Sequence, residues 1–266
     1  MLSDLTQTQI IVAAVVVSWA LFVILLERKF PYNSGQKFFR DGFFNDFVMY
    51  NAVQSLLLGF VIGWFIQWID SSTGLSRLQL LSGWPVWLQV VFFVFTHDLY
   101  IYLFHKFMHH NKYLWRLHEA HHTPKEVDWI AGARSHPIEI LINQTVEFAP
   151  IVLLGAAPEV AVIKGGISGM WGMWIHSNIN VYTGKLQYII NGPEMHRWHH
   201  IDGTYEAYNM NFATKFAFWD WLFKTAYLPD PRKRKADKFG LGDLPFPKNY
   251  FRQTIFAFRK FGKWES

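Results

Sequence analysis

The sequence predicts an all-α integral membrane protein, built from helical transmembrane hairpins and closed by a polar helical cap on the cytoplasmic side. Three observations carry that expectation. Long uncharged apolar runs are bounded by single charged residues, basic residues fall unevenly between those runs, and histidines gather in clusters after them. Composition agrees, since 51% of the 266 residues are hydrophobic and only 17% charged, which is thin charge for a water-exposed domain. Aromatic residues reach 18%, and such rings favour membrane interfaces.

The first run, residues 5–26 between Asp4 and Glu27, is rich in Val, Ile and Leu and long enough to span a bilayer as a helix. It has neither a basic leader nor a small-residue cleavage signature, so a cleaved signal peptide is not expected. A second run covers 47–69, between Asp46 and Asp70, and a third covers 78–97, continuing through Asp98 into the aromatic segment 100–104. Arg28, Lys29, Lys37 and Arg40 lie between the first two runs, whereas only Arg77 lies between the second and third. That asymmetry puts the first loop in the cytoplasm, the amino terminus outside and the end of the third span, near His105, inside.

The apolar region 140–175 is interrupted by Glu147, Pro158, Glu159, Lys164 and a glycine-rich stretch at 165–172, so it reads as a broken hairpin. A hairpin returns the chain to the face it left, as histidines on either side of it require if they share one centre. Residues 178–266 are polar enough for a cap, with turn signals at Asn191-Gly192-Pro193, Pro229-Asp230-Pro231 and 244–247. The expected organisation is a transmembrane helix and loop over 1–46, a catalytic domain over 47–228 and a basic tail over 229–266.

Several functions are excluded early. Without cysteine there is no disulfide, no catalytic thiolate and no cysteine-ligated iron-sulfur cluster. The net charge of +5 and pI near 9.3 admit nucleic acid as a partner, but the Lys and Arg sit beside apolar runs, as membrane loops do, so no nucleic acid is expected. Arg232-Lys-Arg-Lys235 reads most simply as a solvated run against anionic lipid, with docking of an acidic electron donor as the alternative.

The chemistry is carried by histidine spacing. His105 and His109 stand at i and i+4, on one helical face, as chelation by one helix demands. His118, His121 and His122 add i, i+3 and i+4, and His196, His199 and His200 repeat that spacing. As unrelated surface or core residues, eight of the twelve histidines would have to fall into chelating registers by chance. Eight imidazoles exceed what one ion can use, so two metals are implied and the cap is expected to carry a dimetal site. Imidazole suits iron, copper, nickel and zinc alike.

This pattern, H-x3-H, then H-x2-H-H, then a distant H-x2-H-H, resembles the signature of the fatty acid hydroxylase and sterol desaturase superfamily. Further agreement lies at Tyr102-Leu-Phe-His105, Leu114-Trp-Arg-Leu-His118, Arg134-Ser-His136-Pro-Ile-Glu139, Pro193-Glu-Met-His196, Asn209-Met-Asn-Phe and Trp219-Asp-Trp-Leu-Phe-Lys-Thr225. The resemblance covers roughly 47–228. Ala213 and Lys224 stand where many members have glycine, which bears on loop geometry rather than on the metal site. By resemblance, His176 joins as a ninth ligand, while Asn180 occupies a position that is histidine in some members. The resemblance implies a membrane enzyme with two ferrous ions, which uses O2 and two external electrons to hydroxylate or desaturate an aliphatic C–H position of a lipid. No fused redox domain fits the length, so a separate donor of cytochrome or ferredoxin type is expected.

Around these ligands, His136, Asp98, Glu119, Glu139 and Asp220 are candidates to orient the imidazoles by hydrogen bonding. His110 is one residue off register and reads as non-ligating, and His97 reads as a hydrogen-bonded helix histidine roughly two turns deeper in the membrane. Glu147 is expensive in lipid and should face a cavity or a partner. Two competing classes remain. His118-Glu119-Ala120-His121-His122 also satisfies the H-E-x-x-H pattern of zinc peptidases, with Glu119 as general base. A non-enzymatic metal or haem carrier would instead use histidines on opposed membrane helices.

Overall fold

The computed structural model describes residues 2–203, 207, 209–230 and 234–260, and among these every regular element is helical, with only two isolated bridges, Pro31 to Ile179 and Ile201 to Phe239. Arg232 and Lys233 of the basic run, and Pro231 of its turn, lie outside the described residues.

Three helices are long and apolar enough to cross a membrane: Leu5–Lys29, Asn45–Thr73 and Val86–His110, of 25, 29 and 25 residues against the roughly 20 a bilayer requires. The first belongs to α1 (Leu2–Lys29), which has no helix breaker and ends on Arg28 and Lys29, where cations complement the helix dipole. Glu27 anchors that end, its carboxylate accepting the main-chain N–H groups of Trp129 and Asn178 at 2.8 Å each. The second enters through a π-helical stretch, Asn45–Gln54, and continues as α2 (Ser55–Thr73) until Gly74, at φ 67°, turns the chain. Outward-facing Ile10, Leu25, Leu56, Phe60, Trp64 and Trp87 stay well exposed, forming an apolar belt suited to lipid.

The third span begins later than its apolar run. Leu75–Leu78 forms a short 3-10 turn, Gln79 is left-handed at φ 49°, and Pro85, extended and without an N–H, sets the start of α3 (Val86–His110). Hydropathy alone does not register that corner. Asn111 then caps α4 (Lys112–His118) by accepting the N–H groups of Tyr113 and Leu114 at 3.0 and 3.1 Å.

The expected hairpin is present as α5 (Pro137–Leu153) and α6 (Pro158–His176). Its break falls at the four-residue turn holding Gly155, at φ 69°, rather than in the glycine-rich stretch, which is helical throughout. Those glycines serve packing instead. A Cβ on Gly166 would lie 2.6 Å from Val12, so the bare α-carbon lets α1 close on α6, and Trp19 Nε1 donates to the Met170 carbonyl at 2.9 Å. In lipid such close approach and hydrogen bonds, worth about 0.6 kcal/mol each, hold helices together in place of hydrophobic drive.

The cap comprises α7 (Pro193–His199), α8 (Phe218–Leu222), α9 (Tyr250–Phe256) and connecting loops. Tyr32, after α1, clasps it: its hydroxyl donates to the Ala236 carbonyl at 2.9 Å, and the Arg197 guanidinium lies 3.8 Å from its ring centre.

Candidate metal centre

Nine histidines converge where the membrane helices meet the cap. His105 and His109 occupy the final turns of α3, His118 ends α4, and His176 ends α6. After His118 the chain tightens into a 3-10 turn, Glu119–His122, which carries His121 and His122, while α7 supplies His196 and His199 and is followed at its C-cap by His200. They fall into two groups able to hold a metal ion: His105, His109, His118, His122 and His199 in one, and His121, His176, His196 and His200 in the other. Within each group the ligand atoms lie within 4.8 Å of one another. Both H-x2-H-H clusters are split, each contributing to both groups, and the groups abut, with the His122 and His200 rings 4.6 Å apart.

The chemistry of the donors indicates what sits between them. His105 Nδ1 donates to the Phe212 carbonyl at 2.8 Å and His118 Nδ1 to Glu139 Oε1 at 3.0 Å, so in the neutral rings each Nε2 carries a lone pair. Those two Nε2 atoms face each other at 3.0 Å. The same holds in the second group, where His121 donates to the Arg134 carbonyl and His176 to the Gly172 carbonyl, leaving their Nε2 atoms 3.2 Å apart. Lone pairs so close repel unless a cation lies between them. With a metal–nitrogen distance of about 2.1 Å, neighbouring ligands at right angles are about 3.0 Å apart and tetrahedral ones about 3.4 Å. The His176–His196 and His196–His200 pairs, at 2.9 and 3.1 Å, also match the right-angled case. The Nε2 atoms of His109, His122 and His199 are buried without any partner. The donor set therefore fits two cations.

Burial, the largest cause throughout, holds His118, His122, His196, His199 and His200 well below their ordinary value of 6.5 and His121 at about 4, which keeps their lone pairs free at neutral pH.

Comparison with known proteins decides the ancestry. The model of the fatty acid hydroxylase domain matches residues 90–225, a segment that contains all nine histidines. The chain belongs to the fatty acid hydroxylase family. It is 31% identical over 182 residues to ornithine lipid hydroxylase of Rhizobium tropici, covering 68% of this chain and 54% of that protein. Identity is 28% over 152 residues with alkylglycerol monooxygenase of Danio rerio, covering 57% and 32%, and 27% over 147 residues with methylsterol monooxygenase 1 of Rattus norvegicus, covering 54% and 48%. The chain thus spans about half the length, or less, of these relatives. No solved structure matches.

In this member of the fatty acid hydroxylase family, the expected orienting residues divide. Glu139 touches His118 directly. Asp98 and Asp220 touch no histidine; they pin the 212–216 loop, Asp220 accepting from the N–H groups of Phe212 and Ala213 at 2.9 Å each and Asp98 from those of Lys215 and Phe216 at 2.9 and 3.0 Å. That loop presents the Phe212 carbonyl to His105. Glu119 instead pairs with the Arg259 guanidinium, and His136 caps α5, accepting from Ile138 N at 3.1 Å while Nε2 donates to the Thr254 carbonyl. His110 lies outside both groups, donating to the Lys106 carbonyl, and His97 lies deeper, beside Lys164 and Glu147.

Other supports come from residues that the sequence reading assigns no orienting role. Arg134, whose carbonyl orients His121, is held by Asp46, and Asp46 also receives Arg40, itself paired with Asp128. Two guanidinium groups and two carboxylates thus neutralise one another in a buried network. His199 donates to the Met210 carbonyl and His109 bonds Asn209 Oδ1, in a loop whose Asn209 and Asn211 are left-handed at φ 61° and 58°. Asparagine tolerates that region, and the Asn209-Met-Asn-Phe motif is the one signal that marks it. Lys224, where relatives by resemblance carry glycine, also adopts φ 59°. Finally, a cavity of about 260 Å³ between α3, α5 and α6 begins at His105, His121 and His176 and runs past Asn143 and Gln144 to His97 and Glu147.

Proposed function

We propose that the protein is a membrane-bound di-iron lipid hydroxylase that inserts oxygen into an aliphatic C–H bond. The observation carrying this is the pair of histidine groups, lone pairs facing at about 3 Å, at the inner end of a cavity set among membrane helices. His105, His109, His118, His122 and His199 would hold one iron, and His121, His176, His196 and His200 the other. All-imidazole ligation suits iron, and the relatives bear the names of lipid hydroxylases and monooxygenases, which favours hydroxylation over desaturation. Iron would supply the O2 chemistry: one oxygen atom enters the lipid, the other leaves as water, and two electrons and two protons come from outside.

The chain's own residues supply the rest. Glu139 and the Phe212, Arg134, Gly172 and Met210 carbonyls fix the tautomers and ring planes. The lipid would enter from the bilayer between α3, α5 and α6. Arg28, Lys29 and Lys37 between the first two spans support a cytoplasmic centre with the amino terminus outside. A separate cytochrome or ferredoxin would be the electron donor. We assign the catalytic unit to 47–228. The zinc-hydrolase alternative loses its general base, because Glu119 is engaged by Arg259.

Lipid mass spectrometry of cells with and without the protein, beside a His121→Ala control, tests the proposal. Gain of one oxygen is expected; loss of two hydrogens would assign desaturation. A single bound zinc, with no iron- and O2-dependent lipid change under reducing conditions, would end the oxygenase reading.

A further inference from the structure

Away from the metal-facing end, the same cavity closes on a polar cluster that the ligand set leaves unused. Lys164, fully buried on α6, donates to Glu147 on α5 and to His97 Nδ1 on α3 at 3.0 Å, and Ser168 Oγ donates to the same Glu147 oxygen at 2.9 Å. Ionised side chains in this setting are costly, and a fold that needed only helix packing would use apolar residues there. Glu147 lines not one cavity but three adjoining ones, of about 260, 270 and 310 Å³, so the cluster stands at their junction.

The cluster's donors define what it can take. Because His97 Nδ1 accepts from the Lys164 ammonium, the proton of the neutral ring sits on Nε2, and that atom is buried and makes no hydrogen bond of ordinary geometry, the Asn143 main chain lying beside the ring, in a residue only 8% exposed that lines the cavity. Trp171 Nε1, on the wall of the same cavity, is a second buried N–H with no acceptor. Charge is already balanced: Lys164 is matched by Glu147, and Lys215, the other lysine on the cavity, by Asp98 at 3.9 Å. This end of the cavity, donor-rich and electrically neutral, suits an uncharged oxygen acceptor, not a carboxylate or phosphate, which would add an unmatched buried charge there.

We infer that His97 and Trp171, with His97 held by the Lys164–Glu147 pair, form a subsite for a neutral oxygen of the lipid, such as a hydroxyl, ether or carbonyl. His97 precedes His105 by eight residues, or about 12 Å along α3. The gripped oxygen therefore lies about that far along the chain from the reacting carbon, and sets which carbon is presented. This inference rests on the lipid-hydroxylase proposal for the meaning of the cavity, but its test does not depend on turnover.

The experiment is competition binding to the metal-loaded protein in nanodiscs, with radiolabelled 1-dodecanol displaced by 1-dodecanol, dodecane or dodecanoate. The wild type should prefer dodecanol to dodecane by about tenfold, the scale of one buried hydrogen bond, with dodecanoate no better than dodecane. His97→Leu should abolish the preference, His97→Gln, which restores an N–H, should recover most of it, and Trp171→Phe should lower it severalfold. Bound metal reports that each variant is folded. An unchanged preference in both His97→Leu and Trp171→Phe, or tightest binding of dodecanoate, overturns the subsite. A wild type that binds dodecanol selectively yet never oxygenates a lipid would instead retain the subsite and remove the enzymatic proposal.

Discussion

Gly132 offers the sharpest test of the histidine groups, because a single methyl group there presses directly on the ring of a proposed ligand. A Cβ built there would lie 2.5 Å from His176 Nδ1, 2.7 Å from Cε1 and 3.0 Å from Cγ, where ordinary contact begins near 3.4 Å. The ring would have to retreat by about 0.9 Å, several times the roughly 0.2 Å over which metal-ligand distances vary. It has little room to do so, since Nδ1 is tied to the Gly172 carbonyl at 2.8 Å and Nε2 is wedged against His121 and His196. Gly132→Ala should therefore strip His176 from the second group, weakening metal binding there by about 100-fold or more, beyond the 10–100-fold typical of losing an orienting partner. Gly169→Ala is the control, as a Cβ there meets nothing within 4 Å. Elemental analysis after dialysis against a graded chelator should give two metals per chain for wild type and Gly169→Ala, and about one for Gly132→Ala. Two tightly held metals in Gly132→Ala would refute the assignment of His176.

Other expectations follow from the same geometry. Glu139→Leu removes the acceptor of His118 Nδ1 and should weaken metal retention by about 10–100-fold, whereas Glu139→Gln, keeping an acceptor, should stay close to wild type on chelator titration. Asp46→Asn leaves Arg40 and Arg134 short of a buried partner and should cost about 3–5 kcal/mol, read as a lowered unfolding midpoint in detergent. His121 is neutral when folded but protonates below 6.5 when unfolded, so its contribution to the stability of the metal-free protein, roughly 3 kcal/mol, should be full above pH 6.5 and fall as pH drops toward 4. Chelated protein that melts at the same temperature at pH 7.5 and 4.5 would contradict that burial.

Much of this architecture can be read from residue types. Charges bounding apolar runs marked α1, the Asn45–Thr73 rod and the α5–α6 hairpin, since lipid tolerates few ionised groups. The onset of α3 is not legible in hydropathy, because 78–84 are apolar enough for a span while Gln79 and Pro85 dictate a corner. Eight histidines are legible because imidazole at i+3 and i+4 is chemically specific, while His176, with no histidine at such a spacing, is reached only through the family resemblance. Their division between two groups was not, for it depends on the change from α-helix to 3-10 turn at Glu119 and on α7 ending at His199. Most orienting acceptors were invisible for a simpler reason: they are main-chain carbonyls, which every residue has.

The splitting of each H-x2-H-H cluster across both groups makes their dependence on chain direction unequal. By His122, a chain growing from its amino terminus already holds four of the first group's five nitrogens; the second has only His121 then, reaches half its set at His176, and waits for α7 to gain the other two. Truncation before Pro193 would thus trim one centre and dismantle the other. Two neighbouring sites of near-identical chemistry are in this way distinguished by biosynthetic timing, a property that belongs to the order of the polypeptide rather than to any ligand.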